Sequence, residues 1–123
     1  MPSTDEDPDR LAVHVRPLDG ATVLTLAGEL DHETAEPLRS ALEAARESGG
    51  PRLLVDVSGL EFCDSTGLNV LLHNRLAARE SGGSLELIGL HRPVARMFHV
   101  TGADGLFPQH PDVDAALASH PRT

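Results

Sequence analysis

One cysteine, no tryptophan and no tyrosine stand in a chain of 123 residues. With Cys63 alone, an intrachain disulfide is impossible and a zinc site built from a cysteine ladder is excluded. Three phenylalanines are the whole aromatic complement. The core must therefore be aliphatic, and exposed aromatic platforms for stacking bases or sugars are missing. Positive charge is scarce as well: Lys+Arg number 10 against 19 Asp+Glu, a formal net charge of −9. Such a surface repels a nucleic-acid duplex, and no basic stripe overrides the average. It favours solubility and a partner with a basic face. No apolar run reaches membrane-spanning length. The opening MPSTDEDPDR is acidic and has no apolar h-region, so it does not read as a secretory signal. The expectation is a cytoplasmic protein with no membrane or nucleic-acid partner.

What is present suits one compact domain. Hydrophobic residues make up 40% of the chain, nearly all Leu, Val and Ala, and the length allows one core, not two. Residues 1–10 read as a disordered acidic tail, 11–118 as the domain and 119–123 as a C-terminal tail. Leu11, Val13 and Val15 alternate with Ala12, His14 and Arg16, as in a half-buried strand. Asp19-Gly20 signals a hairpin turn, and ATVLTL from Ala21 to Leu26 forms the second arm. Asp31 is placed as an N-cap for a helix whose apolar face is Ala35, Leu38, Ala41, Leu42 and Ala45; Gly49-Gly50-Pro51 ends it. Residues 52–57 read as a strand buried on both faces, closed by a Ser58-Gly59 turn. A helix starts near Ser65, with Leu68, Leu71, Leu72 and Leu76 on one side and Asn69, Asn74, Arg75 and Arg79 outward, and Gly82-Gly83 closes it. Ser84 to Ile88 is another strand. Pro93 opens a short helix carrying Val94, Met97 and Phe98, stopped at Thr101-Gly102. Leu106-Phe107 is expected as a last short strand, and Val113, Ala116 and Leu117 as a small amphipathic helix. The fold class is α/β: a mixed sheet of four to five strands, an N-terminal hairpin followed by parallel strands, with about four helices and right-handed crossovers.

The segment LLVDVSGLEFCDSTGLNVLL, residues 53–72, concentrates the chemistry. It places a hydroxyl, Ser65, at a helix N-terminus on the edge of a sheet, where α/β folds usually carry function. Ser65 admits three readings. As an N-cap it needs no further purpose. As a nucleophile it lacks the glycine two residues upstream that the strand–elbow–helix motif requires; Cys63 stands there. As a phosphate acceptor it is well placed, because a helix N-terminus favours added negative charge. Thr66 and Ser58 are alternative acceptors. Asp31 reads as an N-cap or as a neighbour of Ser65 across the strand ends. Cys63 reads as a packing residue. The seven histidines form no metal motif: His32-Glu33 begins HExxH, but position 36 is Glu. Neither a P-loop nor GxGxxG occurs, and no cofactor or metal is expected.

Several segments in order resemble one family: VLTLAGELD at 23–31, the 53–72 segment with its DSTG, a strand at 84–88, and VARMFHVTGADGLFP at 94–108. The chain resembles the STAS domain, and within it the small anti-sigma factor antagonists of bacteria, over roughly residues 11–118. The resemblance implies a binding protein and not an enzyme. Its partner would be an anti-sigma factor that is also a serine kinase, and binding would release a sigma factor. Phosphorylation of the first serine of DS[ST]G, here Ser65, would block binding, and a serine phosphatase would restore it. Asp31, Asp64, Thr66, Gly67 and Asn69 would form the partner surface; Asn69 departs from the glycine many relatives carry after DS[ST]GL. A STAS subunit of another regulatory or transport-associated complex is the alternative. A monomer is expected.

Overall fold

The computed structural model describes residues 10–48 and 50–119. The element order is β1 (Leu11–Leu18), β2 (Ala21–Leu30), α1 (Ala35–Ser48), β3 (Arg52–Cys63), α2 (Ser65–Glu80), β4 (Ser84–Ile88), α3 (Arg92–Thr101), a 3-10 turn (Ala103–Leu106), β5 (Gln109–His110) and α4 (Val113–Ala118). The five strands lie in sequence order in one sheet. β1 and β2 are antiparallel, joined at Asp19-Gly20 with Gly20 at φ +80°; every later pairing is parallel. Parallel neighbours require crossovers, and the helices supply them. The expected α/β mixed sheet with four helices is what forms.

Two apolar clusters sandwich the sheet. Leu24, Leu26, Leu53, Val55, Val57, Leu85 and Leu87 face Leu38 and Leu42 of α1, Leu71 of α2, and Val94 and Phe98 of α3. The alternate positions Val23, Leu54 and Ile88 face Ala116 of α4. β3 and β4 are covered on both sides; on the α4 side Leu54 and Ile88 stand beside the paired Arg52 and Glu86.

Four expectations are corrected. β3 does not stop at Ser58-Gly59. It runs to Cys63 because β2 continues to Leu30 and keeps pairing with it, Gly28 with Leu60 and Leu30 with Cys63, across register shifts. Asn74 faces inward and Leu76 outward: Asn74 Nδ2 donates to Val70 O at 2.9 Å and Oδ1 accepts from Arg46 Nε at 3.3 Å, so its amide is satisfied against α1. Leu76 is left 54% exposed. Leu106-Phe107 is not a strand. Gly102 at φ +78° ends α3 and the chain turns through the 3-10 segment. That turn sets Phe107 edge-on to Phe98 (centroids 5.9 Å apart), and sheet pairing begins only at Gln109. Ser65, finally, is not an N-cap, as shown below. Residues 1–9 of the expected 1–10 tail, Gly49 and residues 120–123 lie outside the described residues.

Candidate functional site

β2 and β3 end together. Leu30 and Cys63 are the last paired residues, so Asp31 and Asp64 emerge side by side, and the Asp64 amide donates to Leu30 O at 3.0 Å. Both aspartates then bind backbone. Asp64 Oδ1 accepts from the Gly67 amide at 3.0 Å, which makes Asp64 the N-cap of α2. Its Oδ2 accepts from the His32 amide at 3.2 Å, joining the turn before α1 to the start of α2. Ser65 is displaced to the first helical position and is exposed. Thr66 follows, half-buried, and Asn69 stands exposed four residues on, the spacing that puts it on Ser65's side of the helix.

Gly67 sets how closely α2 approaches the strands. A Cβ there would lie 2.5 Å from Leu30 Cγ and 3.3 Å from Cys63 Sγ. The glycine of DSTG is thus a packing requirement at this position, and Gly67 is buried.

Asp31 is 8% exposed. Its Oδ1 accepts from the amides of Glu33 at 2.9 Å and Thr34 at 3.2 Å, and Thr34 Oγ1 accepts in return from the Asp31 amide at 2.9 Å. This reciprocal pair closes the turn that leads into α1. Arg10 then bonds Asp31 Oδ2 and reaches Glu33 Oε1 at 2.6 Å and Glu29 Oε1 at 3.3 Å. Burial pushes the Asp31 carboxyl up. The Arg10 guanidinium and the two amides outweigh it and hold the group below its ordinary value. Cys63 behaves oppositely: burial, then the neighbouring Asp64 charge, push its thiol up to about 12, so it is a packing group and not a nucleophile at neutral pH.

The structure therefore brings Asp31, Asp64, Ser65, Thr66 and Gly67 to one edge of the sheet, with Asn69 one turn along α2. Thr66 and Asn69 also line a cleft of about 320 Å³ between α1 and α2, with Arg39, Arg46 and His73. Of the alternative acceptors, Ser58 is exposed within β3, and its hydroxyl donates to Asp56 Oδ1 at 2.7 Å. Two site neighbours escape a sequence reading. Arg10, the last residue of the expected tail, is a clamp; its only signal is an arginine amid acids, followed by the acidic GELDHE. Phe62, 49% exposed beside the site, sits where the β2–β3 register shifts and breaks simple alternation. Among the described residues, no three His, Cys, Asp or Glu side chains group to hold a metal ion, and no helix is long and apolar enough to cross a membrane.

Comparison with known proteins agrees with the geometry. The family model described as Mlab, STAS domain matches residues 13–108. The anti-sigma-F factor antagonist RsfA of Mycobacterium tuberculosis is 31% identical over 104 residues, 82% of this chain and 80% of that one. The anti-sigma-B factor antagonist of Bacillus subtilis is 32% identical over 90 residues, covering 73% and 82%. The crystal structure of an anti-sigma factor antagonist from Mycobacterium paratuberculosis superposes with a TM-score of 0.76 at 32% identity, covering 90% of this chain and 94% of that one. A sheet ending in two adjacent aspartates, a DSTG helix start packed through Gly67, and these matches across most of the length place the chain in the STAS domain family.

Proposed function

We propose that this protein is an anti-sigma factor antagonist whose docking is switched by phosphorylation of Ser65. Relatives bearing that name support the first half. One observation carries the second: Asp64 takes the cap of α2, so the Ser65 hydroxyl at the first helical position is exposed and not needed to close the helix.

In this reading the chain is a binding protein, not an enzyme. Unphosphorylated, it docks its β2–β3 edge on an anti-sigma factor that is also a serine kinase, and a sigma factor is released. Thr66 and Asn69 offer polar contacts, Phe62 an apolar one, and Asp31, Asp64 and Gly67 hold the surface in shape. The kinase brings ATP. Ser65 Oγ forms a bond to the γ-phosphorus, the bond to the ADP oxygen breaks, and the serine proton leaves to a base or solvent. A phosphatase reverses the change by hydrolysis.

The energetics favour a switch without refolding. Phosphoserine adds about −1.5 to −2 of charge. Within the monomer the helix end returns a favourable contribution of at most ~1 kcal/mol. Within a docked interface, desolvation and like-charge penalties of several kcal/mol arise, and each ~1.4 kcal/mol is tenfold in affinity. A loss of a hundredfold or more follows.

The test is partner affinity. Ser65→Ala should bind the kinase partner as tightly as the unphosphorylated chain and persist in ATP; Ser65→Asp should bind weakly. Equal affinities for the two variants would count against the proposal.

A further inference from the structure

We infer that the outer groove of α3 is a second docking subsite, one that takes a carboxylate-rich extended segment of the partner. The inference rests on reading the chain as a protein-binding module.

All ten basic residues of the chain are arginines, and nineteen acids surround them. Most described arginines are engaged: Arg10 by three carboxylates, Arg39 by Glu36, Arg46 by Asn74, Arg52 by Glu86 and Arg75 by Leu106 O. Arg16, Arg79, Arg92 and Arg96 have no such partner among the described residues, and all four are exposed. Arg79 sits in the last turn of α2, where a cation is favoured, and Arg16 is the single arginine of β1. Arg92 and Arg96, by contrast, stand together on α3. Their placement is unfavourable twice over. Arg92 occupies the first position of α3, where the helix dipole is positive, and no acid stands in the first turn. Arg96 is four residues on, so the two like charges share a face. The sequence of α3, RPVARMFHVT, contains no Asp or Glu at all. In a chain with a formal charge of −9 the pair lowers overall repulsion wherever it stands. One turn apart at a positive helix end is where the fold benefits least, and there the pair gives a ligand something to neutralise.

The two arginines border a groove of about 570 Å³ with Leu90 and Ala95 in its lining. Its far wall is fixed: His99 Nδ1 meets Asp104 Oδ2 at 3.2 Å, and Gln109 Nε2 donates to Asp104 O at 2.8 Å. The one lining carboxylate is thus already occupied by a histidine.

The spacing selects the ligand. Residues four apart on a helix are about 6 Å apart along the axis, and alternate side chains of an extended peptide are about 6.6 Å apart on one side. Two guanidinium forks at that interval suit carboxylates at alternate positions of a strand-like segment, each held bidentately. An anionic bilayer or a nucleic acid is disfavoured, because two arginines do not offset the charge of the rest of the chain.

The start of α3, with Arg92, also lies at the same end of the sheet as Ser65, because β3 and β4 run parallel and α3 follows β4 as α2 follows β3. α3 packs on β3, with His91 Nε2 at 3.2 Å from Val57 O. The docking surface then has an acidic side (Glu29, Glu33, Asp64) and a basic side (Arg92, Arg96). A partner must present the opposite order, which fixes its orientation.

The test titrates the full chain, 15N-labelled, with an eight-residue peptide bearing Glu at alternate positions, and with its Gln analogue. Binding of the Glu peptide should shift amides confined to Leu90, Arg92, Ala95, Arg96, His99 and Gln109. The Gln analogue should bind at least tenfold more weakly, as should the Glu peptide to Arg92→Glu/Arg96→Glu. The single variant Arg96→Gln, which changes the fold less, should lose part of the affinity. Undiminished binding by the double variant, or shifts centred on Arg16 or Arg79, would overturn the inference. So would groove shifts in the peptide-free chain on neutralising Asp5, Glu6, Asp7 and Asp9 to their amides, which would assign the groove to the chain's own tail. Sedimentation with phosphatidylserine vesicles that depends on Arg92 and Arg96 would assign it to a membrane instead. The titration contains neither kinase nor ATP, so the groove stands or falls separately from the phosphorylation switch.

Discussion

Asp64 and Ser65 divide the work at the start of α2: the Asp64 carboxylate accepts from the Gly67 amide at 3.0 Å, and the Ser65 side chain is exposed. A serine that capped the helix would be tied to backbone, and phosphorylating it would cost the cap. Here the helix cap and the exposed hydroxyl are carried by adjacent residues.

That division predicts unequal stability effects. Asp64→Ala should destabilise by about 1 kcal/mol or somewhat more, since it removes a cap and also the tie to the His32 amide. Ser65→Ala should stay within about 0.5 kcal/mol of the parent, as an exposed substitution does. Chemical denaturation of the two variants checks this; the reverse ranking would put the cap on Ser65.

Gly67→Ala should destabilise by about 1–3 kcal/mol, the usual result of overpacking. The added methyl meets Leu30 Cγ at 2.5 Å, at the junction where β2, β3 and α2 converge. Thermal melts measure it, and Leu30→Ala in the same chain should recover part of the loss attributable to the clash.

Cys63 should resist alkylation in the folded protein. It is buried, with its thiol pushed up to about 12 by burial and by Asp64. Iodoacetamide at pH 8 should label it only as fast as the chain opens, and labelling should accelerate sharply in denaturant.

Acid should loosen the face of the sheet that carries α4. Glu86 is 3% exposed and accepts from Arg52 Nε at 2.8 Å, Arg52 Nη2 at 2.7 Å, and Ser84 Oγ at 2.6 Å; His110 Nε2 is 2.8 Å away. Arg52 also donates to Ala116 O at 2.8 Å, anchoring α4. Burial pushes the Glu86 carboxyl up, but Arg52, Ser84 and His110 together hold it below its ordinary 4.5. Asp31 is likewise held below 3.8. Both groups have folded values below their unfolded ones. Their stabilisation is therefore complete above about pH 5 and is lost as pH falls through 4.5 and 3.8 toward the folded values. Glu86→Gln should cost about 3–5 kcal/mol at pH 7, the usual loss when one partner of a buried pair is removed. It should also flatten the acid limb of the stability curve. An unchanged acid limb in that variant would contradict the assignment.

These residues show where the sequence was readable. Alternation places β1, the Asp19-Gly20 turn places β2 as its partner, and Ala35, Leu38, Leu42 and Ala45 give α1 its buried face, because those patterns are local. DSTG announced the site because a hydroxyl beside an acid and a glycine at a helix start is local too. What was missed depends on distant partners. Glu86 in SLELI looks like a polar position in a strand until Arg52 and His110 arrive from β3 and β5. Asn74 reads as solvent-facing because nothing near it in sequence reveals Arg46 on α1. Arg10 reads as tail until β1 pairs with β2 and carries it to Asp31. Sequence alone does not choose between Asp64 and Ser65 as the cap because Asp and Ser are equally good caps, and only the β3 length decides between them.

The most direct test of the central claim is a phosphopeptide map of the full chain after incubation with the proposed anti-sigma factor kinase and ATP. One phosphoryl group on Ser65, with none on Ser65→Ala, is the expected result. Phosphate on Thr66 or Ser58, or no transfer to a chain that binds the kinase, would contradict it.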